Sequence, residues 1–424
     1  PVSWDNDERG GLTLLENGDT VMARTTSGAR ILQAGKELDF EFAILITPVK
    51  PLDTAAHFKT RYFHVAPGGA DGDFQPVEKV AETGANVINI HHGISDLNPY
   101  INYPFLAAPT RRLKSYADSA HGRNIKVKLY YTLRELTNHG DEIWALRSLG
   151  QEVLAPGSGG GYPWLREHLG GDYSPAWYQP YPGDEACAAI INTGFSRWYN
   201  YYLEGLSWLL RNVGIDGLYQ DDVSYDRQIV KRVRKILERD RPGSLIDLHS
   251  NTAFSRGPAN RYMEFFPYVD RLWFGEHFNY DAAPDYWLTE ISGIPYGLMG
   301  EMLQDGGNPW RGMIYGMTVR LPWSGDPRPL WKLWDDFGIA EAKMAGYWEP
   351  DCPVRTGRAD VLATAYVRPG RTLVALASWA PQEVVCRLSI DWRALGLDPK
   401  QAHLYAPAVK DFQPEALFDP DAEV

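Results

Sequence analysis

Short apolar runs that end in a polar or charged residue recur along this chain, and segments with helical spacing separate them. The runs are Asn86-Val-Ile-Asn-Ile-His-His92, Ile125-Lys-Val-Lys-Leu-Tyr-Tyr131, Gly214-Ile-Asp-Gly-Leu-Tyr-Gln-Asp-Asp222, Ser244-Leu-Ile-Asp-Leu-His249, Arg271-Leu-Trp-Phe-Gly-Glu276 and Pro295-Tyr-Gly-Leu-Met-Gly-Glu301. Their length and their Val, Ile, Leu and Tyr content suit buried parallel strands. Between them, Phe195, Trp198, Tyr199, Tyr202, Leu206, Leu209 and Leu210 mark one side of a helix that stops near Gly214. Ile229, Val233 and Ile236, among basic neighbours, mark a second helix, ended by Arg241-Pro-Gly243. With Thr60-Arg-Tyr-Phe-His-Val65 as the opening strand and a last one leading into Leu321-Pro-Trp-Ser324, about eight strand–helix units fit between residues 58 and 350. The predicted fold class is therefore α/β, a (β/α)8 TIM-type barrel, whose typical length is about 250 residues. A doubly wound open sheet is the alternative, but no Gly-rich phosphate fingerprint follows an early strand.

The two ends follow a different pattern. Residues 1–57 hold β-like runs, Gly11-Leu-Thr-Leu-Leu15 and Asp39-Phe-Glu-Phe-Ala-Ile-Leu-Ile46, separated by turn residues, and predict the end of an amino-terminal β-sandwich. After the barrel of 58–350, residues 351–424 predict a carboxyl-terminal β-sandwich from Val361–Val367, Thr372–Ser378 and Val384–Ile390, with Arg368-Pro-Gly-Arg371 as a hairpin connection. The abrupt finish at Asp421-Ala-Glu-Val424 leads us to expect missing final strands. The longest excursion, Leu133 to Thr193, carries Ala155-Pro-Gly-Ser-Gly-Gly-Gly-Tyr-Pro-Trp164 and Tyr178-Gln-Pro-Tyr-Pro-Gly183, punctuation too heavy for a long helix. On a barrel, such a loop leaves from the catalytic face as a wall or lid.

Composition narrows the ligand. A formal charge of −12, from 54 acidic against 42 basic residues, disfavours nucleic acid, and local pairs such as Arg111-Arg112 and Lys231-Arg232 read as solvated helix faces. No apolar stretch reaches the length of a membrane span. Three cysteines without CxxC spacing exclude a disulfide framework and a zinc ribbon. Most of the 15 Trp and 24 Tyr belong to the core, but those at predicted strand ends or in loops fit a neutral sugar, whose C–H faces stack on aromatic planes. An oligosaccharide or polysaccharide is the expected partner; composition leaves the oligomeric state open.

If the runs are barrel strands, their polar tips share one face. Asp221 and Asp222 end one strand, Glu276 and Glu301 end two others, and these four carboxyls are the catalytic candidates. Glycoside hydrolysis needs two such groups, one to stabilise an oxocarbenium-like transition state and one to protonate the leaving oxygen. His91, His92, Tyr131, His249, Trp273, Trp310, Arg311 and Trp323 are the substrate-binding candidates, by position at strand ends or in adjoining loops. No HExxH or EF-hand spacing is present, so no catalytic metal or required cofactor is expected, whereas oxygen-rich clusters allow structural calcium. Two other readings stay open. One is a noncatalytic carbohydrate-binding barrel; the other is a metal-dependent carbohydrate deacetylase or hydrolase.

Ala43-Ile-Leu-Ile-Thr-Pro-Val-Lys-Pro51, Gly214–Asp226, Ile246-Asp-Leu-His249, Gly293–Glu301 and Asn308-Pro-Trp-Arg-Gly-Met313 resemble large, mostly uncharacterised bacterial glycoside hydrolase-like proteins related to glycoside hydrolase family 123. The resemblance covers most of the chain and implies two β-sandwiches around a catalytic barrel, a beginning inside a longer protein, and an extracytoplasmic location, periplasmic or secreted. Members of family 123 are β-N-acetylgalactosaminidases, and the resemblance implies a neighbouring Asp-Glu pair in which Asp steadies the substrate acetamido group while Glu donates a proton. Asp221 matches the Asp. Asp222 stands where the family has Glu, one methylene shorter, which leaves Glu276 and Glu301 as other candidates for the proton donor.

Overall fold

The computed structural model describes residues 6–38, 40, 44–65, 75–92, 97–103, 105–132, 135–137, 140–154, 187–189, 196–221, 227–251, 258–301 and 307–418. The chain divides into two compact units, Pro1–Ile46 and Thr47–Val424. In the first, β1 (Gly11–Asn17) and β2 (Thr20–Thr26) form an antiparallel hairpin from Gly11 opposite Thr26 to Asn17 opposite Thr20, and Gly18 at φ 63° makes the turn. Of the run Asp39–Ile46, residues 39 and 41–43 lie outside the described residues, and the described ones, 40 and 44–46, form no strand.

The second unit is built on eight parallel strands in sequence order. They are β3 (Tyr62–Val65), β4 (Val87–Ile90), β5 (Lys126–Tyr130), β6 (Gly217–Asp221), β7 (Leu245–Asn251), β8 (Arg271–Glu276), β9 (Met299–Gly300) and β10 (Leu321–Pro322). Their spatial order is β9-β8-β7-β6-β5-β4-β3-β10, so the last strand returns to the first. Side chains show that the sheet curls upon itself. Tyr62 of β3 donates its hydroxyl to Asp247 Oδ1 of β7 at 2.9 Å, yet four strand spacings along a flat sheet would part them by about 19 Å. Arg320, just before β10, donates to Glu301, just after β9, at 2.7 Å, spanning the seam where no backbone ladder joins the two edge strands. This is the TIM-type barrel expected from the alternating pattern.

Helices cover the outside as their spacing demands. On α3 (Trp198–Asn212), after α1 (Thr54–Lys59) and α2 (Ala107–His121), the predicted Trp198, Tyr199, Tyr202, Leu206, Leu209 and Leu210 are all buried; Phe195 lies outside the described residues. On α4 (Arg227–Asp240), Ile229, Val230, Val233 and Leu237 are buried and Ile236 is partly so. Gly214 ends α3 at φ 80°. Gly217 opens β6 at φ 149°, where a Cβ would stand 2.0 Å from the Leu245 carbonyl oxygen.

The amino-terminal face of the barrel carries a repeated clip. Asn86 donates its amide to the Arg61 carbonyl at 2.9 Å and accepts the Arg61 amide on its side chain at 2.9 Å. Asp216 does the same with Val127 (2.6 and 2.7 Å) and Asp270 with Ile246 (2.8 and 2.7 Å). Each clip pins the start of one strand to its predecessor: β4 to β3, β6 to β5, β8 to β7. Arg241 and His121 further anchor Asp216, and Arg234 anchors Asp270.

The helix α5 (Pro309–Met313) lies between β9 and β10; beyond the barrel, α6 (Arg328–Phe337) precedes an antiparallel sheet of β11 (Lys343–Ala345), β12 (Val361–Arg368) and β13 (Arg371–Ser378). The predicted hairpin forms, with Arg368 opposite Arg371 and Gly370 at φ 80°. Of the predicted run Val384–Ile390, Ser389–Ile390 forms a strand, paired with Val354–Arg355. Cys352 and Cys386 are buried free thiols.

Candidate active site

Period-two alternation divides each barrel strand between helices outside and a polar interior. Lys128, Asp247, Arg271 and Arg320 point inward with Tyr62 and Glu301, all buried, and form the lower layer. Asp247 is paired with Lys128 and stands 3.0 Å from Arg320; Glu301 accepts from Arg320 and lies 3.5 Å from Arg271. Burial works to raise the Asp247 carboxyl, but Lys128, Arg320 and Arg271 outweigh it and hold the group below the usual range. Burial also pulls Lys128 down to about 8, against the attraction of Asp247. His57, on α1, is fully surrounded: Gly316 O lies 2.8 Å from its Nε2, and Arg271 donates to its Nδ1. A guanidinium can only donate, so the imidazole is held neutral. Burial first, then the Arg271 charge, lower its pKa to about 3.

Two residues farther along the strands, chemistry of a different kind collects. Asp221, the last residue of β6, is only 3% exposed, and the Tyr130 hydroxyl donates to its Oδ2 at 2.9 Å. His249 lies opposite it in register, with Nε2 3.7 Å from Asp221 Oδ1 and Nδ1 2.6 Å from the Trp273 carbonyl oxygen. Thr132 donates to the Asp221 main-chain oxygen at 3.0 Å. Rings close around the carboxylate. Tyr219 meets His249 (5.7 Å), Trp273 (5.2 Å) and Tyr130 (5.4 Å); His91 meets His92 (4.6 Å), Tyr130 (4.2 Å) and Trp323 (5.8 Å). Trp273 is completely buried, whereas Trp323 is only partly so. Burial, reinforced by neighbouring histidines and cations, keeps the His64 imidazole well below its ordinary pKa; burial and His92 do the same to His91, although Asp221 pulls the other way.

Of the residues predicted from sequence, the barrel thus gathers Asp221, His91, His92, His249, Trp273 and Trp323. Others are placed differently. Tyr131 faces outward, stacked on Tyr202 of α3 at 4.5 Å and exchanging hydroxyl–carbonyl bonds with it (3.0 and 2.8 Å), because it falls on the helix-facing parity of β5. Its neighbour Tyr130 occupies the inner position instead. Trp310 stacks on Phe412 at 3.7 Å, and Arg311 is spent on Ser378 O, Tyr280 O and Asp281 while lying over Trp379; both belong to the junction with the carboxyl-terminal sheet. Glu301 is a counter-ion with both oxygens facing guanidinium donors. Glu276 ends β8 opposite Asn251, but its side chain, Asp222, Trp164 and most of the long excursion (133–134, 138–139, 155–186 and 190–193) lie outside the described residues. Tyr130, Tyr219 and His64 went unread in the sequence. Parity would have found them: Tyr219 precedes Asp221 by two, Tyr130 follows the charged Lys128 by two, and His64 follows Tyr62 by two.

The chain matches the TIM-barrel domain of glycoside hydrolase 123 over residues 53–322, its carboxyl-terminal domain over 326–424 and its third domain over 1–48. It belongs to glycoside hydrolase family 123. No curated protein matches its sequence. Among solved structures, it is similar to a debranching enzyme from Nostoc punctiforme (11% identity, TM-score 0.54, 84% of this chain and 96% of that one). It is similar also to a maltogenic alpha-amylase from Thermotoga neapolitana (10% identity, TM-score 0.53, 87% and 96%) and to an alpha-amylase from Anoxybacillus (11% identity, TM-score 0.51, 86% and 97%). At these identities the likeness is one of fold. Family membership makes the protein a glycoside hydrolase with a carbohydrate substrate, and the mouth described above is where a TIM-type barrel puts its chemistry. Among the described residues, no helix is long and apolar enough to cross a membrane, and no group of three or more His, Cys, Asp or Glu is arranged to hold a metal ion.

Proposed function

We propose that this family 123 member cleaves the glycosidic bond of an N-acetylhexosamine residue, with Asp221 orienting the acetamido group and Asp222 as its acidic partner. The observation that carries the reading is Asp221 itself: a buried carboxylate at the carboxyl end of β6, fixed by the Tyr130 hydroxyl inside a ring of aromatic and imidazole side chains. A carboxylate so held is suited to act on one atom of a bound sugar, whether by accepting a hydrogen bond from the acetamido N–H or by stabilising positive charge at the anomeric carbon. The surrounding rings offer apolar planes to the sugar's C–H faces. Two deeper acidic groups are already committed, Asp247 and Glu301 to the cations below, so the proton donor is sought in Asp222 or Glu276.

Aryl glycosides of N-acetylgalactosamine, N-acetylglucosamine and the matching plain hexoses test this. Turnover is expected only with 2-acetamido sugars, falling in Asp221→Asn by about a thousandfold or more, the loss usual for a principal catalytic group. Asp222→Asn should slow substrates with poor leaving groups far more than activated aryl glycosides, because only the former need the proton. Equal rates on plain hexosides would sink the N-acetyl assignment. Binding without turnover across the panel would favour a carbohydrate-binding barrel.

A further inference from the structure

Residues 277–283, which follow β8, belong to no strand or helix, and side chains from later in the chain hold them and Pro284 instead. Arg311 of α5 donates through Nη1 to the Tyr280 carbonyl oxygen at 2.6 Å and to Asp281 Oδ1 at 2.7 Å. Trp379, just after β13, donates its indole N–H to the Ala282 oxygen at 2.8 Å. Tyr315 and Tyr347 donate their hydroxyls to the Pro284 oxygen at 2.8 and 3.1 Å. Alternate carbonyls at 280, 282 and 284 are thus satisfied by side chains rather than by a neighbouring strand. Arg311 makes this clamp continuous with the carboxyl-terminal sheet: its Nε donates to the Ser378 oxygen at 2.9 Å, and its guanidinium lies 4.9 Å over the Trp379 ring. Asp281 is 87% exposed and adds little, but the Arg311 side chain is only 11% exposed, so water is a poor substitute for its main-chain partners.

The clamped loop leaves β8 at Glu276. Pairing between β8 and β7 slips by one after Phe274, which lies opposite Ser250: Glu276, not Gly275, stands opposite Asn251. The extra residue brings the Glu276 main chain into the row that Asp247 and His249 begin, the row that faces the barrel interior. Beyond it, the Phe278 N–H returns to the Gly275 oxygen at 2.9 Å and the Phe278 ring packs on Trp287 at 5.0 Å. The first clamped carbonyl, Tyr280 O, follows directly. We infer that Arg311 is a positioning residue for Glu276, and that through it the carboxyl-terminal sheet sets where the β8 tip meets the sugar. Glu276 is one of the two carboxyls proposed for the proton of the leaving oxygen, and the inference rests on that reading. A proton donor must stand within hydrogen-bond reach of the oxygen it serves, and a displacement of about 1 Å costs about a hundredfold in rate. A segment without a ladder holds such a tolerance only when its carbonyls are fixed.

Arg311→Lys keeps the charge but loses the fork that reaches Tyr280 and Ser378 together. Without substrate, peptides covering 275–283 should exchange their amide hydrogens faster in this variant than in the wild type. Equal exchange overturns the clamp. Kinetics on the aryl glycoside that the wild type turns over best then test the role. Arg311→Lys should lower kcat/KM by about tenfold or more in the wild-type background, but by less than about twofold in Glu276→Gln, where no carboxyl is left to position. A merely structural role gives the same loss in both backgrounds, and that outcome overturns the positioning. Trp379→Phe, which keeps a ring and deletes one N–H, gives the same comparison should Arg311→Lys fail to fold. Undiminished rates in Glu276→Gln sink the reading of Glu276 as a donor, and the role of Arg311 with it. A large loss in Glu276→Gln, combined with equal losses from Arg311→Lys in both backgrounds, sinks the positioning alone.

Discussion

At the scale of single residues, two adjacent tyrosines show how one position along a strand changes a side chain's work. Tyr130 and Tyr131 have the same chemistry, yet the first bonds a buried carboxylate in the barrel and the second locks strand to helix through Tyr202. Tyr130→Phe removes a hydrogen bond to a charged group, worth about 1.5–3 kcal/mol, and should lower kcat/KM by roughly ten- to a hundredfold with little loss of stability. Tyr131→Phe removes a bond to a neutral carbonyl and should cost about 1 kcal/mol of stability while leaving kinetics unchanged. Steady-state rates and denaturant melts on both variants check the pair; the reverse pattern would mean that the strand's inward face has been misassigned. Asp221 and the strand-end histidines were legible because a charged tip on an apolar run is conspicuous. Tyr130 was not, since adjacent identical residues can be told apart only by parity, and Lys128 two positions earlier carries that parity.

Elements explain why the mouth can afford so little regular ladder. β9 and β10 are two residues each, and the clips at the other face carry the strand starts. Each clip needs an Asn or Asp immediately before an even-numbered strand, a signal visible at Asn86, Asp216 and Asp270, but one that becomes meaningful only when the preceding strand is known to lie alongside. Asp216→Ala strips Val127 N–H, Arg241 and His121 of their acceptor at once; Arg241 and His121 can turn to solvent, but the buried Val127 N–H cannot, and leaving it unsatisfied costs about 1–3 kcal/mol. A fall in the midpoint of chemical unfolding of that size is expected, with activity per folded molecule retained because the clip lies at the face opposite the site. The helices were the easiest elements to read, as α3 shows. Their 3.6-residue spacing is local, whereas the extent of β9 depends on its neighbours.

For the whole molecule, the interior ion network is the feature that barrel closure creates. Lys128, Asp247, Arg271, Glu301 and Arg320 come from five separate segments, and in the unfolded chain each is an ordinary solvated charge. His57 is the group in it whose neutrality stability depends on. Its pKa is lowered from 6.5 to about 3 on folding, so between those values the unfolded chain binds a proton that the folded one does not. Stability contributed by the neutral ring is fully present above pH 6.5 and is lost as pH falls toward 3. Melting temperatures measured from pH 7 down to pH 4 should therefore drop more steeply in the wild type than in His57→Gln, which keeps a donor and an acceptor but does not titrate. Parallel slopes would show that His57 protonates equally well in both states.

The sequence by itself determined the count and order of the strands, the helices that cover them and the strand tip where Asp221 stands, because hydrophobic periodicity, turn residues and chain order are local properties. Only the tertiary structure decided that Glu301 serves Arg320 rather than a sugar, that Trp310 and Arg311 face another sheet, and that His249 meets Asp221. Those assignments depend on which residues closure of the sheet brings within a few ångströms, and segments far apart in the chain carry no local mark of that distance.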